Sequence, residues 1–415
     1  MSFSEKWAID RRLVSATLFL SLFGIAMIYS AGQVEVPNAV TERAWLSQLR
    51  WLLVALLGYT VLSRIPMPWV EWAAHPIYVF GIILLGVTLI IGEGRGTAAG
   101  VKSFIRLGGF GFQPAEIAKI ATILWLAQNL SERDSPIMSL RDLVKPGAIV
   151  ALPLGLVVLQ PDLGTSLAFV GILFAMLYWA ATPVWLLALV ASPVVGLFLA
   201  YDTVVWSTYI LIVIACMVLF LRSRLFLFES VALVLANFAS ATLARPLWNS
   251  LANYQRNRIL VFLDPEVDPR GAGYQVIQSK VAIGSGEFWG QGFKQGAQKR
   301  LDFLPEQHTD YIFSTVGEEW GFFGSSVLVI LFVSLILRII YLAEQHKSQF
   351  SRIYGYGVAS ILFAHFLINI GMVMGLIPTI GIPLPFFSYG GSGLWAFTIL
   401  VFIFLKLDSN RLNVW

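Results

Sequence analysis

Residues 311–342 read YIFSTVGEEWGFFGSSVLVILFVSLILRIIYL, an apolar run longer than the roughly 17–25 residues that a helix needs to cross a bilayer. Such a run begins outside the hydrocarbon and continues through it. Working outward, the same reading gives twelve candidate spans, near 13–31, 47–64, 75–92, 115–130, 144–160, 163–181, 184–200, 205–221, 226–244, 311–342, 355–377 and 392–407. Composition agrees: 57% of the residues are hydrophobic, 13% are charged, and the mean hydropathy is +0.76. A soluble domain carries about 25% charged residues. The sequence therefore predicts one all-α polytopic membrane domain over 1–415, with about ten to twelve transmembrane helices. The net charge of +4 gives no reason to expect nucleic acid as a partner. Cys216 is the single cysteine, so no internal disulfide forms. The polar start MSFSEKWAIDRR lacks a short signal-peptide core, and the first span is expected to stay in the protein.

Basic residues in short loops set the orientation. With the N-terminus inside, Lys6, Arg11, Arg12, Arg64, Arg133, Arg141, Lys145, Arg222, Arg224, Lys347, Arg352 and Arg411 fall on the cytoplasmic side. The 93–113 loop and the large 245–310 loop then fall outside, and both carry cations against the usual bias. An anionic, lipid-linked substrate would account for them.

The chemistry concentrates in 253–310, NYQRNRILVFLDPEVDPRGAGYQVIQSKVAIGSGEFWGQGFKQGAQKRLDFLPEQHTD. Asp264, Glu266 and Asp268 are spaced by two, and the prolines after both aspartates exclude regular helix there. Arg256, Arg258, Arg270, Lys280, Lys294, Lys299 and Arg300 make a cationic setting suited to phosphate. Elsewhere, Glu116 and Lys119 share a helix face at i,i+3 and are expected to pair at membrane depth. Asp162 either caps the helix starting at Leu163 or lines the same cavity. Thr309 or Asp310 is expected to cap the span that follows, with Glu306 and His308 anchoring the loop. His365 and Asn369, at i,i+4 in an apolar span, read as a packed polar pair.

Five motifs in order carry a family resemblance: FGFQPAEIAKIA (110–121), LQPDLGTS (159–166), YQRNRILVFLDPEVDPRGAGYQVIQSKVAIGSG (254–286), FLPEQHTDYIF (303–313) and IPLPFFSYGGSG (382–393). The chain resembles the SEDS family of FtsW, RodA and SpoVE proteins, in its RodA branch. The resemblance implies a peptidoglycan glycosyltransferase that polymerises lipid II at the outer face of the bacterial cytoplasmic membrane during cell elongation. It also implies a class B penicillin-binding protein as partner. Asp268 matches the family's catalytic acid, and Glu116, Lys119, Asp162, Arg258, Gln278, Ser279 and Lys280 are the substrate-binding candidates. No resident cofactor is expected; a divalent cation, Mg²⁺ or Mn²⁺, is left open as an aid to the leaving pyrophosphate. Ala115 and Phe104 stand where the family usually has Ser and Trp.

Chemistry supports so small a set of residues. Joining a β-1,4 bond from an α-pyrophosphate is one inverting displacement, needing a base for the acceptor hydroxyl and cations for the leaving group. A lipid II flippase is the alternative, but it needs acids spread across the midplane, whereas these motifs gather at one face. The stretch between Asp162 and Tyr254 also exceeds the family's pattern by roughly 35–40 residues, about one hairpin at ~20 residues per span. An added helical hairpin within 184–244, peripheral to the catalytic cavity, is therefore expected, with Glu229 held near Arg222 and Arg224.

Overall fold

The computed structural model describes residues 10–35, 39–94, 102–107, 110–133, 135–220, 227–264, 272–301, 304 and 306–409. The helices in chain order are α1 (Arg11–Ala31), α2 (Ala39–Glu42), α3 (Ala44–Leu62), α4 (Met67–Ile91), α5 (Pro114–Ser131), α6 (Leu140–Leu159), α7 (Leu163–Trp179) and α8 (Val184–Leu199). They continue as α9 (Thr203–Phe220), α10 (Leu227–Ser250), α11 (Asn253–Leu263), α12 (Ala272–Ser285), α13 (Ala297–Arg300), α14 (Ile312–Glu344), α15 (Gln349–Val373) and α16 (Gly391–Ser409). One exception to the all-α expectation is a two-stranded antiparallel hairpin, β1 (Ile105–Leu107) and β2 (Phe110–Phe112), directly before α5.

Every expected span coincides with a helix, and several begin at strong start signals. Asp10 caps α1 by accepting from the Leu13 amide at 2.7 Å. Ser139 and Asp142 form a reciprocal capping box at α6, and Pro114 opens α5 at a position where its missing amide costs nothing. Among the described residues, eight helices are long and apolar enough to cross a membrane, and Leu163–Trp179, Val184–Leu199 and Thr203–Leu219 are shorter apolar helices. The chain is a multi-pass membrane protein.

Helix α15 is the centre of the bundle, packing on α14, α7, α5 and α16. In its membrane stretch 72% of residues are buried inside the protein, against 22% for α10 and 17% for α3, which therefore face outward. Helices α8, α9 and α10 form a satellite with its own small core of Leu189, Val213, Met217 and Leu233. Asn237 ties it together, donating to Ser192 Oγ at 2.9 Å, while the Tyr209 hydroxyl donates to the Ser192 carbonyl at 2.7 Å. The stretch 184–244, where an added hairpin was expected, holds three helices here. Glu229 is buried, and its Oε1 accepts the Leu140 amide at 2.9 Å, at the positive end of α6, a contact beyond those expected for it. Arg222 and Arg224 lie outside the described residues.

The long apolar run is not one helix. At Gly321 (φ 61, ψ −157) α14 breaks, and the segment after α12 threads into the break. The Phe322 and Phe323 amides donate to the Glu287 and Phe288 carbonyls, at 2.8 and 3.0 Å. In return the Gln291 and Gly292 amides donate to the Glu318 and Glu319 carbonyls, at 2.9 and 3.0 Å. Backbone freed by a break at membrane depth must find such partners, since lipid offers none. The threading needs Gly286, where an added Cβ would stand 1.9 Å from the Gly317 carbonyl oxygen. Gly286→Ala is accordingly expected to cost about 1–3 kcal/mol or more, as overpacking does. A thermal melt of the purified protein checks this, and an unchanged melting temperature would count against the threaded contact.

Candidate functional site

Two layers of polar residues meet where α5, α7, α11, α12 and α15 converge. The deeper layer starts from the first turns of α5. Glu116 and Lys119 are 4% and 1% exposed, and Lys119 Nζ lies 2.8 Å from Glu116 Oε1. Helical spacing puts them on one face, so the expected pairing is realised. Lys119 also lies 3.2 Å from His365 Nε2, and His365 Nδ1 lies 3.1 Å from the Pro383 carbonyl. A carbonyl can only accept, so Nδ1 carries the proton and Nε2 is left to accept from the ammonium. Phe397 lies beneath, its ring centroid 5.4 Å from Lys119 Nζ. One turn along α15, Asn369 donates to the Asp310 and Ile382 carbonyls at 2.9 and 2.7 Å. The network thereby fastens α5 and α15 to Asp310, two residues before α14, and to the non-helical stretch leading into α16. Glu116 Oε2 has no hydrogen-bond partner among the described residues.

Asp162 belongs to the upper layer. Its Oδ1 accepts the Thr165 amide at 3.0 Å, and its Oδ2 accepts from Thr165 Oγ1 at 2.9 Å and Gln113 Nε2 at 3.1 Å. It is the N-cap of α7 and also the joint between the QPAE and QPDLG motifs. Tyr254 of α11 donates to the adjacent Pro161 carbonyl at 3.1 Å. Burial raises the Tyr254 pKa above the ordinary phenol value, with Arg258 opposing and Asp162 adding to the rise, so the hydroxyl stays a donor. The Arg258 guanidinium sits 5.7 Å from the Tyr254 ring centroid, and its Nη1 donates to the Ile380 carbonyl at 3.3 Å.

Arg258 and Lys280 line one cleft, together with Val261, Phe262, Gly375 and Thr379. Lys280 is exposed, whereas its neighbour Ser279 is fully buried and donates to the Val373 carbonyl at 2.8 Å. Ser279 thus anchors α12 to α15 and lies away from the cleft; Gln278 is half-buried. Asp264 ends α11 in extended backbone (φ −146, ψ 100), and Asp268 and Glu266 lie outside the described residues. The cap expected from Thr309 or Asp310 is not the one found: Tyr311 holds the N-cap position of α14 without a side-chain cap bond, and Thr309 Oγ1 donates back to Glu306.

A second buried charge cluster escaped the sequence reading. Lys299 Nζ lies 2.6 Å from Glu319 Oε1, and Ser30 of α1 donates to the same oxygen at 2.5 Å. Glu318 accepts the Gln298 and Lys299 amides at 2.7 and 3.3 Å. Lys299 had counted only as one loop cation among several. The available signal was the pair of adjacent acids, Glu318 and Glu319, inside an apolar run, where ionisable residues always need a partner.

With this geometry in view, comparison with known proteins gives a family. The model of the FtsW, RodA and SpoVE proteins, described as "Cell cycle protein", matches residues 11–209 and 194–413. The chain belongs to this family. The two matches overlap at 194–209, in the satellite of α8 and α9. The peptidoglycan glycosyltransferase MrdB of Escherichia coli (strain K12) is 36% identical, over 99% of this chain and 96% of that protein. The peptidoglycan glycosyltransferase RodA of Treponema pallidum (strain Nichols) is 33% identical, over 97% and 98%. Among solved structures, a chain from work on the structural coordination of polymerization and crosslinking by a peptidoglycan synthase complex superposes with a TM-score of 0.70. It is 28% identical, over 98% of this chain and 99% of that one. Rod shape determining protein RodA of Thermus thermophilus shares the fold, with a TM-score of 0.62 at 24% identity, over 97% and 98% of the chains. The two polar layers of this FtsW/RodA/SpoVE member are built from the QPAE, QPDLG, YQRNR and IPLP segments that carry the resemblance.

Proposed function

We propose that this chain is a peptidoglycan glycosyltransferase of the RodA type, which polymerises lipid II and releases undecaprenyl pyrophosphate. What carries the reading is that relatives bearing that activity in their names match over 97% and 99% of the chain. In the reaction, Asp268 takes the proton of the acceptor hydroxyl and the freed oxygen attacks the anomeric carbon. The bond from that carbon to the pyrophosphate oxygen then breaks with inversion. The leaving group departs with the bonding electron pair, and Arg258 and Lys280 neutralise its charge. We further propose twelve crossings with the N-terminus inside, an outward-facing site in the cytoplasmic membrane, and a class B penicillin-binding protein as cross-linking partner. Among the described residues no cluster of three or more His, Cys, Asp or Glu could hold a metal. Asp264 and Glu266 would be the acids to hold a divalent cation, which would supply further charge neutralisation for the leaving pyrophosphate. The flippase alternative has less support, because the buried charges Glu116–Lys119 and Lys299–Glu319 are closed on each other at 2.8 and 2.6 Å.

The test is to incubate purified protein, alone and with the transpeptidase, with lipid II and look for glycan polymer. Translocation of lipid II across vesicles without polymer would favour the flippase. Within this reading, Lys280→Gln and Arg258→Gln should each raise the apparent KM for lipid II about tenfold. A hydrogen bond to a charged group contributes roughly 1.5–3 kcal/mol, although the exposure of Lys280 reduces its share. Unaltered kinetics in both variants would remove the cleft from the donor site.

A further inference from the structure

Outside the cleft, α1 and α3 enclose an apolar groove lined by Leu22, Ile25, Ala26, Tyr29 and Trp45. Tyr29 lies near the end of α1 and Trp45 near the start of α3, with their rings edge to face at 5.5 Å. Paired aromatics at helix ends mark the level of the lipid headgroups. Between Leu22 and Tyr29 the groove follows α1 for about 10 Å, at 1.5 Å per residue, enough for the upper part of one acyl chain.

At its headgroup end stands Lys294. Its Nζ donates to the Tyr29 hydroxyl at 2.9 Å and lies 4.2 Å from the ring centroid. The lysine is half-buried, and no carboxylate lies within ion-pair distance of it among the described residues. Its backbone is left-handed (φ 66), a conformation that a lysine adopts only when the surroundings impose it. The neighbouring threaded segment fixes that turn, because the Gly292 amide is bound to the Glu319 carbonyl at 3.0 Å. An ammonium is therefore held in place at the mouth of an apolar groove, its charge unanswered by a carboxylate.

We infer that this groove is a binding site for an anionic phospholipid, with one acyl chain between α1 and α3 and the phosphodiester on Lys294 and the Tyr29 hydroxyl. The charge chooses between lipid sources. A single ammonium matches the single negative charge of a phosphodiester, whereas a polyprenyl pyrophosphate carries more charge and suits the two cations of the Arg258–Lys280 cleft. The inference holds whether or not the chain polymerises glycan.

Full-length purified protein is titrated in detergent with phosphatidylglycerol, or with phosphatidylcholine of the same acyl chains, and lipid adducts are counted by native mass spectrometry. The wild type should retain one phosphatidylglycerol in preference to phosphatidylcholine. Lys294→Gln should weaken phosphatidylglycerol about fivefold, to the level of the zwitterionic lipid, as expected for losing one basic residue at a membrane surface. Ala26→Trp, which fills the groove while keeping Lys294, should weaken both lipids. Lys294→Arg keeps the charge and should keep the preference, which separates lipid loss from misfolding. The site would be refuted by an undiminished preference in folded Lys294→Gln. It would also be refuted as a phospholipid site if a polyprenyl pyrophosphate displaced phosphatidylglycerol from the wild type at lower concentration than phosphatidylglycerol itself binds.

Discussion

Asp268→Asn is expected to abolish glycan polymerisation while leaving the fold and partner binding intact. Asparagine is nearly isosteric with aspartate but cannot take up the proton of the acceptor hydroxyl. Removing a positioned general base costs typically 10²–10⁴-fold in rate. No other acid of the described upper layer is a ready substitute: Asp162 already accepts from Thr165 and Gln113 through both oxygens. The measurement is polymer yield from lipid II by the purified variant, with its melting temperature as the control for folding. Near-normal yield would make Asp268 a turn-former ahead of proline, and Asp264, at the end of α11, would become the acid to test next.

Much of the fold was legible because membrane helices announce themselves through length and hydropathy. The twelve expected spans fall on helices for that reason, and the stretch between Asp162 and Tyr254 includes the α8–α10 satellite. Local pairings were legible too. Glu116 and Lys119 lie three apart on one helix, so spacing alone brings them together. What stayed hidden depends on chain segments brought together from a distance. Nothing near Gly321 announces that residues 286–292 will supply the hydrogen bonds its break leaves open. The Lys299–Glu319 pair closes only when that threaded segment is in place, with Ser30 coming from the first helix. Glu229 also accepts the amide at the start of α6, a partner that local sequence cannot indicate. His365 read as one half of a packed polar pair, whereas its contact with Lys119 depends on how α5 and α15 meet.

That third partner sharpens the expectation for the buried pair. Lys119→Ala strands the Glu116 carboxylate, whose Oε2 already lacks a hydrogen-bond partner among the described residues, and also removes the donor to His365 Nε2. Breaking one side of a buried ion pair costs about 3–5 kcal/mol, because the remaining charge stays buried and uncompensated. The single variant should therefore lose both thermal stability and polymerising activity. Glu116→Gln strands the ammonium instead, though His365 Nε2 still accepts from it, so this variant should be the milder of the two. The double variant should cost less than the two singles combined, since no unpaired charge remains, and the coupling should be of order 0.5–3 kcal/mol. Recovery should stay incomplete, because His365 would still lack its donor. Melting temperature and log activity across the four proteins measure this directly. Strict additivity in both would mean that Glu116 and Lys119 act separately, and full recovery in the double variant would mean that the His365 contact carries no weight.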